Sequence, residues 1–301
     1  MVSSGYLKFS FQILKKKESK ALTLLSPCRV CPRECGADRD KIFPKRLGFC
    51  RVGRKVRVFA YHPHFGEEKV LVGKGGSGTI FFSSCNLACL FCQNWEISQL
   101  RLGKEFQKEQ FAQIMLDLQN QGCENINFVS PTIWVPQILE ALIIARKKGL
   151  HLPLVYNSSG YDKVETLKIL KGIIDIYLPD LKYSSNEKGA VYSQVSDYWQ
   201  VAQEALLEMD SQVGPLKIEN GIAKKGLLVR HLVLPNNIAG TEQVLEFLAK
   251  NLSPQTAINL MDQYFPQYRA GDFFELSRPI TKKEYQEALK LAQKLDLRII
   301  K

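Results

Sequence analysis

The most constraining feature of the chain is a short loop with three closely spaced cysteines. It carries Cys85, Cys89 and Cys92 in the spacing C-x3-C-x2-C, directly after an apolar, β-prone run at 79–82. A structural zinc site usually has four protein ligands. Three thiolates on one loop can instead hold three irons of a [4Fe–4S] cluster and leave the fourth iron open, because thiolates are the soft donors that such clusters need. A zinc knuckle with a distant fourth ligand is the alternative.

A second group of cysteines precedes this loop. Cys28, Cys31, Cys35 and Cys50 are accompanied by glycines that allow tight turns. Four thiolates can close a structural zinc or single-iron site, and they can also hold an accessory Fe–S cluster that passes electrons to the main one. A thiol redox role is a third possibility, and spacing alone does not separate the three. The eighth cysteine, Cys123, is predicted to be a buried apolar thiol.

The composition is that of a globular protein without membrane segments. The chain has 301 residues, of which 45% are hydrophobic and 24% charged, enough for one α/β domain and a small appendage. Basic residues follow the apolar patch at 9–14 instead of preceding it, which is not the order of a secretory signal. We therefore expect a cytoplasmic protein with no membrane partner. The net charge of +11 comes without a basic, aromatic-rich module, so we do not expect a nucleic-acid partner.

Helix and strand patterns alternate along most of the chain. Helices are predicted at 108–121, 135–148, 162–170, 197–212 and 241–251, with Asp162 as the cap of the third, and a capping box at Thr281 opens a last one. Strands are predicted at 79–82, 125–129, 154–156, 173–178, 227–234, 257–261 and 297–300, and Asn220-Gly221 predicts a hairpin. About six such βα units predict a parallel sheet curled into a partial barrel, with ligands at the carboxyl ends of its strands.

The segment before the barrel is predicted to be separate from it. Residues 1–25 are poorly patterned and predict a strand or a loose arm, and residues 56–72 predict a β-hairpin. We divide the chain into an extension at 1–72, which includes the four-cysteine metal-binding segment, and a barrel at 73–301. The glycine-rich run at 73–78 lacks the spacing of a phosphate-binding loop, and we expect its glycines to let the backbone approach the cluster or the cofactor.

The cysteine loop resembles the signature of the radical S-adenosylmethionine (radical SAM) superfamily, in which an aromatic residue, here Phe91, precedes the last cysteine. The resemblance implies a partial (β/α)6 TIM-like barrel and a [4Fe–4S] cluster held by Cys85, Cys89 and Cys92. It implies that the amine and carboxylate of SAM chelate the open iron. The implied activity is reductive cleavage of SAM to a 5′-deoxyadenosyl radical, which abstracts hydrogen from a substrate.

Polar residues at the predicted strand ends are the candidates for holding SAM. In the superfamily the second strand often ends in Gly-Gly-Glu-Pro and meets the methionyl amine, whereas the corresponding segment here reads Val-Ser-Pro-Thr. Ser130 and Thr132 would then replace that contact. The resemblance places Phe91 beside the adenine. Asn157 and Ser159 suit the ribose hydroxyls, because both donate and accept hydrogen bonds, although a helix-entry turn is the alternative for them.

Two further strand ends carry charges. Asp180 and Lys182 project to the same side of a strand, and they are the candidate catalytic residues. Asp180 could stabilise the sulfonium or bind a cation, and Lys182 could pair with a carboxylate; a solvated ion pair is the alternative. Arg230 and His231 alternate on a strand, so only one of them can face the barrel interior. The forked donors of Arg230 suit a cofactor carboxylate better.

Three longer sequence segments indicate a subgroup within this superfamily. Residues 76–94, 178–182 and 229–235 are similar to glycyl-radical-enzyme activases, and most similar to the pyruvate formate-lyase-activating-enzyme-like group, over the chain from about Cys28 to the end. This implies an oxidoreductase that acts on a protein such as a glycyl radical enzyme, with flavodoxin or ferredoxin as electron donor. A radical SAM enzyme for a small molecule or RNA, and a non-catalytic Fe–S or zinc protein, are the alternatives. The substrate, the N-terminal metal and the oligomeric state are not predicted.

Overall fold

The structure is a computed structural model that describes residues 4–41 and 46–300. Its α-helices are α1 (Phe11–Leu22), α2 (Lys69–Val72), α3 (Trp95–Ser98), α4 (Lys108–Asn120), α5 (Val135–Lys147), α6 (Val164–Leu170), α7 (Asn186–Ser193), α8 (Tyr198–Val213), α9 (Thr241–Asn251) and α10 (Lys282–Lys294). Its strands are β1 (Val56–His64), β2 (Ser77–Phe82), β3 (Lys104–Phe106), β4 (Ile126–Val129), β5 (Leu154–Ser158), β6 (Ile176–Pro179), β7 (Lys217–Glu219), β8 (Ile222–Leu232), β9 (Ala257–Met261) and β10 (Arg298–Ile299). Within the described ranges, no helix combines the length and the apolar character that a membrane crossing requires.

The sheet has the order β10-β9-β8-β6-β5-β4-β2-β1-β3, and β7 pairs with β8 beside it. The seven strands from β10 to β2 are all parallel to their neighbours in this order. Helices fill most of the connections between these strands, so the carboxyl ends of β2, β4, β5, β6, β8 and β9 meet along one rim. This arrangement confirms the predicted α/β class with a mostly parallel sheet.

The core lies between the sheet and the helices that cover it. Every residue of β4, β5 and β6 is buried, as expected for parallel strands covered on both faces. Phe82 packs against Phe111, Phe128 and Trp134, with ring centroids 5.6, 6.1 and 6.2 Å away. The indole nitrogen of Trp134 donates to the Ser83 carbonyl oxygen over 3.1 Å, so this large side chain is buried without an unsatisfied donor.

Residues 4–25 differ from the prediction, because helix α1 stands where a strand or loose arm was expected. The Ser10 side chain accepts a hydrogen bond from the Ile13 backbone N–H over 3.3 Å and caps the helix. Leu14 and Ala21 are buried in the core, while charged residues cover much of the rest of the helix. Two buried apolar positions seven residues apart give too weak a periodicity to identify a helix from the sequence.

The predicted hairpin at 56–72 is also wrong in its second half. Residues Lys69–Val72 form the short helix α2, and the antiparallel partners of β1 are β2 and β3. Strand β1 therefore lies between β2 and β3 in the same sheet as the parallel strands, and the sheet crosses the boundary that we predicted between residues 72 and 73. The hairpin at Asn220-Gly221 is present, with Glu219 opposite Ile222 and both turn residues at positive φ.

The glycine-rich run at 73–78 lies at the amino end of β2, opposite the end that carries the cysteine loop. A Cβ atom at Gly75 would stand 1.8 Å from the Gly122 carbonyl oxygen, and one at Gly78 would stand 2.5 Å from that of Asn125. The glycines thus let β2 pack against the turn before β4. The expectation that they approach the cluster or the cofactor is wrong.

Replacing Gly75 by alanine is expected to destabilise the protein. The added methyl group meets backbone, which cannot rotate away, so we expect a loss of about 1–3 kcal/mol or more in the free energy of unfolding. Chemical denaturation of both proteins measures it. Gly271→Ala is the matched control, since a Cβ atom there meets nothing within 4 Å. Equal stability of the two variants would contradict the packing argument.

Candidate functional site

The cysteine loop stands at the carboxyl end of β2 and forms one wall of a cavity at the rim of the sheet. Cys85, Cys89 and Cys92 line this cavity, whose volume is about 210 Å³. The strand ends contribute the other walls, with Val129, Ser130, Asn157, Ser158, Ser159, Asp180, Lys182, Arg230, Leu232, Met261 and Gln263. Most of the predicted site residues are therefore brought together in one place by the parallel strand order.

Each thiol of the loop has a hydrogen-bonding partner. These are the Leu87 backbone nitrogen for Cys85 at 3.3 Å, the Ser193 hydroxyl for Cys89 at 3.0 Å and the Ser98 hydroxyl for Cys92 at 3.2 Å. Hydrogen bonds to sulfur are one of the means by which a protein sets the potential of an iron–sulfur cluster. Burial raises the pKa of Cys85 to about 12 and that of Cys89 to about 11, so a metal must displace a proton from each.

The donor set and the cavity fit a cluster with a polar organic ligand. In the ranges 4–41 and 46–300, no three Cys, His, Asp or Glu side chains converge closely enough to hold a single metal ion. Three thiols on one loop beside a polar cavity are the donor set of a cluster with one open iron. The Ser159 hydroxyl oxygen is buried in the cavity wall without a hydrogen-bond partner among the described residues. A buried hydroxyl of this kind requires a polar group from a ligand or water.

A network of charges runs across the cavity wall. Asp180 accepts from Lys182 Nζ over 2.7 Å and from Arg230 Nε over 2.8 Å. Arg230 also donates from Nη2 to Asn157 Oδ1 over 2.6 Å, and its Nη1 lies 3.6 Å from Glu67 Oε2. The charged side chains are only 9–18% exposed, so the alternative of a solvated ion pair does not hold.

The alternation on β8 places Arg230 in the cavity and His231 on the opposite face. His231 is fully buried, with Nδ1 2.6 Å from the Leu181 carbonyl oxygen and Nε2 3.0 Å from the Thr241 hydroxyl. Burial lowers the pKa of His231 to about 4, so this imidazole is neutral at physiological pH. It supports the packing of β8 and does not line the cavity.

Two carboxyl groups of the network have opposite pKa shifts. Burial by itself would raise the pKa of Asp180, but the two adjacent cations, Arg230 and Lys182, hold that pKa below its usual value. Burial raises the pKa of Glu67 to about 7, and Arg230 opposes this only in part. At neutral pH Asp180 is ionised, whereas the protonated and ionised forms of Glu67 coexist.

Replacing Glu67 by glutamine is expected to change how stability depends on pH. The folded-state pKa of about 7 lies above the unfolded value of about 4.3, so wild-type stability is fully present below pH 4 and falls as pH rises through 7. Because the variant lacks this loss, we expect its free energy of unfolding, relative to that of the wild type, to rise by about 2 kcal/mol from pH 5 to pH 8. Denaturant unfolding at both pH values measures the difference. Exposed Glu246→Gln is the control, and a pH-independent offset for Glu67→Gln would contradict the assignment.

Thr132 is not part of the cavity wall. Its hydroxyl donates to Asp162 Oδ1 over 2.7 Å, and Asp162 also accepts from Tyr156 over 2.8 Å and from Ser158 over 2.6 Å. The predicted contact of Thr132 with a cofactor therefore does not fit this geometry. The predicted helix cap is wrong as well, since Lys163 holds the cap position of α6 and Asp162 is a buried acceptor that binds three hydroxyl groups.

Ser130 and Phe91 do line the cavity. Ser130 has a φ of +60°, and its backbone N–H donates to the Asn157 carbonyl oxygen over 2.9 Å, which turns the chain sharply at the end of β4. Phe91 is 5% exposed and meets Tyr183 and Tyr264 edge-on at centroid distances of 6.3 and 5.8 Å. Both aromatic neighbours hold the ring against the cavity.

Several cavity residues were not among those predicted from the sequence. Met261 ends β9 and Gln263 follows it, so the rule that ligands lie at strand carboxyl ends could have identified both. Glu67, which lines a neighbouring cavity and contacts Arg230, has no such signal. It lies before α2 and reaches Arg230 only because β1 packs beside β2.

The four N-terminal cysteines line a separate and much smaller cavity. Cys28, Cys31, Cys35 and Cys50 all contribute to it, with a volume of about 10 Å³. Like the other four cysteines of the chain, they form no disulfide. The remaining one, Cys123, is 4% exposed in the core, as expected.

Comparison with known proteins agrees with the site. Residues 79–212 match the family model of the radical SAM superfamily. Two uncharacterized proteins of Methanocaldococcus jannaschii are similar: MJ0674 is 34% identical over 96% of this chain and 80% of its own length, and MJ0808 is 24% identical over 81% and 72%. The crystal structure of methylornithine synthase (PylB) superposes with a TM-score of 0.46 at 15% identity, over 72% of this chain and 61% of that one, so this chain spans less than two thirds of it. The chain belongs to one family with MJ0674, and its residues 79–212 form a radical SAM superfamily domain.

Proposed function

We propose that the protein is a radical SAM enzyme that abstracts hydrogen from a protein substrate, in the manner of the glycyl-radical-enzyme activating enzymes. Superfamily membership implies a [4Fe–4S] cluster, SAM and SAM-cleaving radical chemistry. The observation that carries the proposal is the shared cavity, in which Cys85, Cys89 and Cys92 face the Asp180–Arg230 network. A non-catalytic scaffold has no need for a buried, charged cavity beside three thiols.

Cys85, Cys89 and Cys92 would hold the [4Fe–4S] cluster, which would supply the electron for reductive cleavage of SAM and so the radical chemistry that abstracts hydrogen from a substrate. Around it, Ser130 and Asn157 stand at the ends of adjacent strands, where they can hold the methionyl and ribose groups. The unpartnered Ser159 hydroxyl is a second ribose contact, and Phe91 offers an apolar face to the adenine. Water is excluded because these walls are largely buried.

The charged residues orient the cofactor and favour the reduced state of the site. Arg230 is held by Asp180, Asn157 and Glu67, so its guanidinium is fixed in place to meet a carboxylate. Lys182 bonds to Asp180 and is electrostatically coupled to Cys89. A cation beside the thiolates stabilises the more negative, reduced form of a cluster. In this proposal Asp180 and Lys182 are the catalytic residues and Arg230 binds the cofactor.

The substrate and partners follow from the resemblance of the longer phrases. Residues 76–94, 178–182 and 229–235 are similar to activases, which supports a glycyl radical enzyme or a similar protein as substrate. The net charge of +11 favours an acidic electron donor of the flavodoxin or ferredoxin kind. Zinc or a second Fe–S cluster at the four N-terminal cysteines completes the proposed cofactors. A small-molecule or RNA substrate is the alternative.

The experiment is a turnover assay with anaerobically reconstituted protein, SAM and dithionite. We expect release of 5′-deoxyadenosine, and a protein that holds its cluster but releases none would overturn the proposed activity. The protein is then incubated with a glycyl radical enzyme that co-purifies with it. A glycyl radical signal in electron paramagnetic resonance (EPR) supports a protein substrate, whereas 5′-deoxyadenosine without that signal would favour the small-molecule or RNA alternative.

A further inference from the structure

Four cysteines that take no part in the proposed hydrogen abstraction line one small cavity in the N-terminal segment. Backbone hydrogen bonds wind the chain around them, from Cys28 N to the Ala37 oxygen over 2.8 Å and from Arg51 N to the Gly48 oxygen over 3.0 Å. A Cβ atom at Gly48 would stand 2.7 Å from Cys35 Sγ, so only glycine allows this approach. The segment is folded tightly around its thiols.

The size of the enclosed space indicates a single ion. The cavity lined by the four thiols measures about 10 Å³, which is the room of about one water molecule. A four-iron cluster with its sulfides is several times larger. Four thiolates that enclose one ion are typical of a structural zinc site, which is closed by its protein ligands. The four thiols line this space without converging on a common point, so a bound ion would have to draw them together.

A buried cation beside the thiols provides independent evidence. Arg39 is 1% exposed, its Nη1 donates to the Ile133 carbonyl oxygen over 2.8 Å, and the same atom lies 3.9 Å from Cys28 Sγ. Its Nε and Nη2 have no partner among the described residues. A buried guanidinium needs a counter-charge, and neutral thiols do not supply one. Four thiolates on a divalent ion carry a net charge of −2 and do.

The same segment contacts the cluster loop. Arg33 lies between two of the cysteines and donates to the backbone oxygens of Asn86 and, over 2.8 Å, of Gln194. Its guanidinium lies 3.5 Å from the centroid of Phe49, which also lines the small cavity. Asn86 also lines that cavity, and it directly follows Cys85 in the cysteine loop.

We propose that Cys28, Cys31, Cys35 and Cys50 bind one zinc ion, and that the zinc-bound segment positions the cluster loop through Arg33. The ion takes no part in electron transfer, because zinc has no accessible redox change. Arg33 is a positioning residue, since it contacts the backbone beside Cys85 and not the cluster ligands themselves. This inference goes beyond the proposed function, and its metal readout does not depend on activity.

Metal analysis of the full chain, purified anaerobically and reconstituted with iron and zinc both present, tests the site. We expect about one zinc per chain beside about four irons, and zinc X-ray absorption with four sulfur neighbours at about 2.3 Å. Cys31→Ser with Cys50→Ser should lose the zinc and keep the iron, and alanine at Cys85, Cys89 and Cys92 should do the reverse. Absence of zinc, or additional iron lost with the first pair, would overturn the assignment. If the first variant does not fold, the zinc X-ray absorption spectrum of the wild-type protein still tests the assignment, because it counts the sulfur neighbours of the ion.

The positioning role is tested by Arg33→Ala, with exposed Arg29→Ala as the matched control in the same segment. We expect Arg33→Ala to keep its zinc but to change the EPR spectrum of the reduced cluster and its response to SAM. Arg29→Ala should change neither. A wild-type spectrum for Arg33→Ala would overturn the positioning role, and equal changes in both variants would do the same.

Discussion

Cys89→Ala is expected to remove the visible absorbance and the EPR signal of the cluster, and to reduce 5′-deoxyadenosine release to the background level. The three loop thiols stand on one wall of the cavity, and no fourth cysteine lines it to take the place of a lost ligand. Iron bound by two thiolates is open on further sides and exchanges with solvent. We therefore expect the iron content, the visible absorbance and the release of 5′-deoxyadenosine to be lost together.

Cys123→Ala is the control for this result. Cys123 is equally a buried thiol, but it packs in the core near Gly78, at the opposite end of β2. We expect normal iron content and normal turnover from this variant. If Cys89→Ala retained about four irons per chain, or still cleaved SAM, the loop would not be the cluster site.

Asp180→Asn is expected to have the largest effect on stability among the cavity residues. The substitution keeps the shape of the side chain but removes the charge that holds Lys182 at 2.7 Å and Arg230 at 2.8 Å. Breaking a buried pair from one side leaves the partner charges uncompensated, which typically costs about 3–5 kcal/mol. Glu67 is a weak substitute, since burial raises its pKa to about 7. Turnover should fall as well, because Arg230 loses its anchor.

The exposed pair Arg269–Asp272 offers a matched control with a similar distance of 2.9 Å. Both of its side chains are more than half exposed, so Asp272→Asn should have little measurable effect. The pKa of Asp180 is depressed in the folded state, so its contribution is present above about pH 4 and is lost as pH falls through the folded-state pKa. The two proteins should therefore converge in stability at low pH. A constant difference, or an effect no larger than that of Asp272→Asn, would argue against the buried network.

Local patterns predicted much of the barrel. The strand at 257–261, the helix at 241–251 and the capping box at Thr281 were predicted with their observed bounds, because each depends on residues within one or two turns of one another. Helix α1 was missed for the same physical reason. Its stability comes from packing against distant helices, and it has too few buried apolar residues of its own for that packing to show as a periodic pattern in the sequence.

The sequence by itself determined the three-thiol loop, the alternation of strands and helices, and the rim on which ligands lie. Spacing and periodicity are local properties that any reader of the chain can count. Only the tertiary structure decided that Arg230 contacts Asp180 and Glu67, and that Thr132 turns to Asp162. It also decided that Arg39 is buried against the N-terminal thiols. These contacts join residues far apart in the chain, and the cost of a buried charge depends on which partners the fold brings to it.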